Sequence, residues 1–169
     1  MSSCKSDHCR MEHVVSIPSR QDLIDWRVFL ETAWALNDIL DDELQAERGM
    51  NLDWYDALVH LEETPEGANM TELADRILAS KSGLTRVIDR MEEAGLVRRE
   101  RPPEDRRVVR VLITPEGVKA LDDARSVHRR GVREHYLAHL SRSELASVTA
   151  ALRKVREHVR PLRPGRISA

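Results

Sequence analysis

Residues Met70 to Gly117 read MTELADRILASKSGLTRVIDRMEEAGLVRRERPPEDRRVVRVLITPEG. Asn69 or Thr71 can cap a first helix, with Glu72 in its first turn and Leu73, Ala74 and Ile77 as its apolar stripe. A break follows at Leu78-Ala79-Ser80, and Ser80 suits the N-cap of a second helix. There Leu84, Val87, Ile88 and Met91 recur at i, i+3, i+4 and i+7, which is one buried face. Gly83 is small enough in the first turn for backbone to approach backbone, and Gly95 ends the helix as a C′ residue. Leu96 to Arg101 is a short strand pattern, Pro102-Pro103-Glu104-Asp105 turns the chain, and Val108, Val109, Val111, Leu112 and Ile113 make a β-branched return strand. Two helices followed by a hairpin predict a winged helix-turn-helix over residues 69–114, a module that places one helix and one hairpin on duplex DNA.

The face of the second helix opposite its apolar stripe carries Lys81, Ser82, Thr85, Arg86, Asp89 and Arg90. Hydroxyls and free backbone N–H groups in a first helical turn suit phosphate, and Arg86 or Arg90 can reach base edges, where arginine is the commonest partner of guanine. The competing reading is a solvated face laced by Asp89/Arg86 and Glu93/Arg90 pairs. The hairpin shifts the balance. From Arg98 to Arg110 six arginines stand against three acids, so the hairpin reads as a positive finger. An arginine at its tip fits a narrow A·T-rich minor groove. Arg107 is the residue chosen, with Arg106 beside it and Asp105 holding the turn. An ordinary surface hairpin is the alternative.

The strings ELADRILASKSGLTRVIDRMEEAGLV and PEDRRVVRVLITPEG resemble the MarR family of bacterial transcription regulators. The Asp105-Arg106-Arg107 step, with Leu112, Thr114 and Gly117 behind it, matches that family's wing signature. The resemblance covers roughly Leu23 to Val159, specific in the middle and architectural at the ends. It implies a homodimer on a pseudopalindromic operator, with recognition helices in successive major grooves and wings in the flanking minor grooves.

The flanks can be read from their own residues. A chain of 169 residues with 41% hydrophobic and 33% charged side chains suits one globular domain, or one domain plus a dimerisation layer. With one Phe and two Tyr, its core must be mainly aliphatic. A pI of about 6.4 looks wrong for a DNA binder until the charge is mapped. Residues 21–66 hold two basic and thirteen acidic side chains, whereas residues 119–166 hold twelve basic and five acidic. Both flanks read as helices. Leu23, Trp26, Leu30, Ala33, Asn37, Leu40 and Leu44 share one spacing, and Leu145, Val148, Leu152, Val155 and Val159 share another of the same kind. Ser141 and Glu144 form a capping box, Thr114-Pro115-Glu116 opens a long helix through Leu121, Ala124 and Val127, and Leu52 to Glu63 is a connecting helix with Trp54, Ala57, Leu58 and Leu61 on one side. Residues 64–68 read as a loop. The outer helices are expected to pair with each other within and across subunits, with opposite charge favouring the match. A monomeric bundle would use the same stripes. The fold expected is mainly α with a small β wing: a disordered tail over 1–20, then one domain over 21–169. Its helical dimerisation and linking layer spans 21–66 and 115–160.

The resemblance also implies a crevice for a small aromatic or amphipathic acid, and Trp26, Trp34, Trp54, Tyr55, Asp56 and His60 are its candidate lining. The same aromatics equally suit a core. Family members that recognise urate-like anions place an arginine inside the recognition helix. Val87 stands at that position here, so that specificity is not carried over. Peroxide-sensing members hold a reactive cysteine in the first long helix, and this helix has none from Leu23 onward. The N-terminal stretch MSSCKSDHCRMEH holds Cys4, His8, Cys9 and His13, but Cys-x₄-Cys is not a zinc-knuckle spacing and no second cysteine pair follows. A disordered tail with incidental ligand types stands beside a redox- or zinc-responsive switch. His135 and His139 lie at i, i+4, yet two ligands do not make a site.

No metal or cofactor is expected. The chain carries no Gly-rich phosphate loop, nucleophile elbow or metal-hydrolase motif, so catalysis is not expected either. A non-specific architectural DNA binder would carry excess positive charge, and this chain is net −2. A winged helix that binds only protein is the other alternative, opposed by the basic wing beside a hydroxyl- and Arg-bearing face. With no transmembrane run and no signal-peptide h-region, the expected location is the cytoplasm, with double-stranded DNA as the partner.

Overall fold

A computed structural model describes residues 17–77, 81–103 and 107–159. The tail with Cys4, His8, Cys9 and His13, the expected break at 78–80 with its Ser80 cap, and Asp105 and Arg106 lie outside the described residues. So do the side chains of Lys81 and Ser82. The described residues fall into two units, divided between Trp34 and Ala35.

Helix α1 (Arg20–Arg48) opens on Ser19. The Ser19 N–H donates to Asp22 Oδ2 at 2.8 Å and its Oγ accepts from the Asp22 N–H at 3.2 Å. This reciprocal cap holds the Asp22 carboxyl below its ordinary range. In the first unit Leu23, Trp26, Phe29 and Trp34 are exposed, and the Trp26 and Phe29 rings lie 5.5 Å apart on one side of the helix.

The second unit contains the rest of α1, then α2 (Leu52–Glu62), β1 (Ala68–Asn69), α3 (Met70–Arg76), α4 (Lys81–Glu93), β2 (Val97–Glu100), β3 (Arg110–Ile113), α5 (Pro115–His135) and α6 (Arg142–Val159). A short 3-10 turn, Leu137–His139, follows α5. Its aliphatic core joins Leu44, Leu58, Leu61, Leu73, Ile77, Leu84, Ile88, Met91, Val97, Val111, Leu121 and Val127. Helix α2 lies at the centre of this core and packs on α3, α4, α5 and β3. Leu84, Ile88 and Met91 of α4 are fully buried and Val87 half-buried, as their spacing predicts. Each fully buried side chain contributes about 1.5–3 kcal/mol relative to exposure, so packing fixes which face of α4 points outward.

Among the described residues the caps read from sequence at Asn69, Gly95, Thr114 and Ser141 are present, with one choice resolved. Asn69, not Thr71, caps α3: its side chain accepts from the N–H groups of Thr71 and Glu72, while Glu72 accepts from the Asn69 N–H. Gly95 ends α4 at φ +74°, the left-handed geometry that favours glycine. Its N–H donates to Glu92 O, and the Leu96 N–H donates to Met91 O, both at 2.9 Å. Thr114 caps α5 with Pro115 in the first turn.

The sheet differs from expectation in two ways. It has three strands in the order β1-β3-β2, because Ala68 and Asn69 pair with Val111 and Arg110. Residue 68 is therefore strand and not loop. The hairpin is also shorter than its β-branched run, with Val97 opposite Ile113 and Glu100 opposite Arg110 as the outermost pairs. Val108 and Val109 are outside the strand. Pro102 and Pro103 directly follow Arg101, one residue past the end of β2, and offer no N–H for further pairing.

The acidic character of α1 is partly used within the second unit. His135 Nε2 lies 2.7 Å from Glu43 Oε1, Arg130 pairs with Glu47, and Arg48 Nε donates to the Asp123 carbonyl at 2.9 Å. These contacts join α1 to α5 within the second unit. Helix α6 has no buried residue, and Leu152 and Val155 are 41% and 55% exposed.

Candidate nucleic-acid interface

The outward face of α4 presents Thr85, Arg86, Asp89 and Arg90, all exposed. Arg86 and Arg90 have no ion-pair partner among the described residues. The Asp89/Arg86 and Glu93/Arg90 ion pairs of the solvated-face reading do not form among the described residues. The first turn of α4 contains no acidic residue, so no carboxylate offsets its positive dipole end. Lys81 and Ser82 stand in that turn.

The arginines of the hairpin divide by role. Arg99 reaches back to α4, with Nη1 2.5 Å from Glu92 Oε2 and Nη2 2.6 Å from Asp89 Oδ1. Its backbone N–H also donates to Glu92 Oε1 at 2.9 Å. Partial burial opposes the charge on Arg99, but the bonds to Asp89 and Glu92 outweigh it and hold the guanidinium above its ordinary value. Arg110 donates from Nη1 to the carbonyls of Glu66 and Gly67, both at 3.2 Å, tying β3 to the chain ahead of β1. Arg98 pairs with Glu100 along β2. Arg101 and Arg107 are exposed towards the end of the hairpin. The sequence count treated all six arginines as one positive finger, yet Arg99 and Arg110 bind within the protein. The signal that could have found Arg99 is its place one strand residue from Arg98, opposite the apolar Val111, with two acids one turn apart on the preceding helix.

The base of the hairpin is fixed by Thr114. Its N–H donates to Leu96 O at 3.0 Å, its Oγ1 donates to Gly95 O at 2.6 Å, and the same Oγ1 accepts from the Gly117 N–H at 3.0 Å. One side chain thus joins the end of α4, the return of the wing and the start of α5. Gly117 faces Leu96 so closely that an added Cβ would collide with the Leu96 carbonyl oxygen and approach Ile113 Cγ1 to 2.9 Å.

The candidate crevice residues belong to α1 and α2. Trp26 and Trp34 line an open apolar groove along α1 with Leu23 and Leu30. Trp54, Tyr55, Asp56 and His60 are on α2, with Trp54 and Asp56 half-buried. Tyr55 is buried and stacks on His128 of α5, ring centroids 4.4 Å apart. Burial pushes the Tyr55 phenol up and the His128 imidazole down, and it raises the Asp56 carboxyl above its ordinary value, partly countered by His60. Among the described residues no cluster of three or more His, Cys, Asp or Glu could hold a metal ion. No helix among them is long and apolar enough to cross a membrane.

A capped helix pair, an outward arginine face and an antiparallel hairpin tied to that helix define a winged helix-turn-helix protein. The MarR family profile matches residues 48–108. Sco3205, a MarR family transcriptional regulator from Streptomyces coelicolor solved in complex with DNA, is 32% identical, with a TM-score of 0.79 over 86% of this chain and 95% of that one. AbsC, also a MarR family transcriptional regulator from S. coelicolor, matches at 32% identity and a TM-score of 0.79 over 86% of this chain and 99% of its own. The HTH-type transcriptional regulator MhqR of Bacillus subtilis is 31% identical over 86 residues, 51% of this chain and 59% of that protein. The chain thus spans about three fifths of the length of that curated relative. The chain belongs to the MarR family of transcription regulators.

Proposed function

We propose that this protein is a sequence-specific DNA-binding transcription regulator acting as a homodimer on a pseudopalindromic operator in the cytoplasm. Its logic would be repression relieved by a small aromatic or amphipathic acid. The observation that carries the DNA reading is the α4 face: Thr85, Arg86 and Arg90 exposed above a first turn without acids, beside a hairpin fixed to the same helix. Residues 69–114 supply the DNA module, and 21–66 with 115–160 supply the dimerisation and linking layer. Lys81, Ser82 and Thr85 serve phosphate, Arg86 and Arg90 serve base edges, and Arg107 with Asp105 and Arg106 serves the minor groove. The role is one of binding and not of catalysis.

A second copy is the occupant that suits the exposed apolar stripes of α1 and α6, because a thirteen-acid segment and a twelve-base segment flank one module. Two-fold symmetry then sets the recognition helices about one helical turn of DNA apart. The effector reading rests on Trp54, Tyr55 and Asp56 of α2, with Trp26 and Trp34 as further candidates.

The test starts with duplexes selected from a random library by the intact protein. Arg86→Ala should lose about 1–3 kcal/mol of discrimination between selected and random duplexes. Arg107→Ala should weaken the selected duplex while leaving the protein folded. Leu152→Asp with Val155→Asp puts charge in the α6 stripe and should give monomers or insoluble protein with weakened operator binding. A folded monomer that binds the full site at wild-type affinity sinks the dimer reading, and failure to enrich any duplex sinks the DNA reading.

A further inference from the structure

We infer that Arg99 is a positioning residue that sets the angle between wing and recognition helix by bridging Asp89 and Glu92. The inference rests on the DNA-binding reading above and deepens it. Residue 99 makes three bonds to two consecutive turns of α4: guanidinium to Glu92 at 2.5 Å, guanidinium to Asp89 at 2.6 Å, and backbone N–H to Glu92 at 2.9 Å. A single bond would leave the hairpin free to swing about it. Three bonds to sites one turn apart fix both distance and rotation, and the planar fork of an arginine is the side chain that can span two carboxylates. The strand cannot slide to relieve the constraint, because its partner at this register, Val111, is fully buried.

The clamp also has an electrostatic consequence. Asp89 stands on the exposed α4 face between Arg86 and Arg90, where an uncompensated carboxylate would meet phosphate. Arg99 supplies the compensating charge from the protein side. Both of its terminal nitrogens are engaged by acids, so its effect on DNA runs through the geometry of α4 and the hairpin and not through contact.

The test uses the full chain and a duplex selected by the wild type, with melting, operator affinity, random-duplex affinity and a hydroxyl-radical footprint as readouts. Arg99→Lys keeps the charge but cannot span two acids. It should lower operator affinity about tenfold or more, with selective loss of protection in the flanking minor grooves. Random-duplex affinity, which follows total charge, should change by less than about threefold. Glu92→Gln breaks the clamp from the helix side and should reproduce the flank loss, giving a second reading if the first variant melts early. Wild-type affinity and intact flanks in Arg99→Lys overturn the inference. So does flank loss in Arg99→Lys with intact flanks in Glu92→Gln, which would make Arg99 a DNA contact. If the wild type selects no duplex, the DNA-binding reading fails first and takes this inference with it.

Discussion

Replacing Gly117 by alanine adds a single methyl group where the chain has no room for it. The new Cβ would collide with the Leu96 carbonyl oxygen and stand 2.9 Å from Ile113 Cγ1 and 3.1 Å from the Leu96 carbonyl carbon. Two of these three atoms are backbone, so no rotamer change relieves the contact. The start of α5 must back away from the end of α4, at an overpacking cost of about 1–3 kcal/mol. That movement stretches the bond from the Thr114 N–H to Leu96 O, now 3.0 Å, whose loss adds about 0.5–1.5 kcal/mol. The helical preference of alanine over glycine returns about 0.5–1 kcal/mol. The net is a destabilisation of about 0.5–4 kcal/mol, which for a chain of this size lowers the melting midpoint by roughly 1–16 °C. Calorimetry at one fixed protein concentration measures it. A midpoint within about 1 °C of the parent would refute the packing argument, since neither the clash nor the lost bond could then be present.

Asp56 carries a carboxyl raised by burial, so the folded state holds its proton more tightly than the unfolded chain does. The associated stability is complete below the ordinary value of 3.8 and is lost as pH rises through the folded value. Asp56→Asn should therefore melt above wild type at pH 7 and lose that advantage in acid; equal melting at pH 7 would contradict the burial. Deleting residues 1–13 should leave assembly and operator affinity unchanged, since that segment has no apolar periodicity with which to dock. A zinc- or peroxide-dependent release of DNA that disappears with Cys4→Ser or Cys9→Ser would give the tail a sensing role instead.

The parts of the fold legible in sequence are those written as period and cap. Leu84, Ile88 and Met91 mark the inward face of α4 because a helix repeats every 3.6 residues, and Asn69 and Gly95 mark ends because their chemistry suits those positions. Two residues of β1 cannot display a period, so that strand exists only through its partner β3. Val108 and Val109 favour strand but lack a partner, because pairing ends where β2 meets prolines. Charge showed a similar limit. The sign of each hairpin arginine is plain in the sequence, but direction decides its use, and Arg99 and Arg110 turn inward. The stripe of α1 was likewise visible from Leu23 to Leu44, although only Leu44 is fully buried in the single chain.

The central place of α2 bears on where genetics will find interesting alleles. This helix adjoins α3, α4, α5 and β3 together, so a change in its seat is felt by both helices and the return strand of the DNA module. Its inward residues, Leu58 and Leu61, are fully buried, and truncation to alanine there should cost about 2–5 kcal/mol, lowering abundance before any subtler phenotype is scored. Trp54, Val59 and His60 are only half-buried, so replacement there should cost less than at Leu58 or Leu61. A screen for constitutive derepression or super-repression should accordingly return alleles along this outer side of α2, in proteins of normal abundance, at codons remote from the arginine-bearing surface.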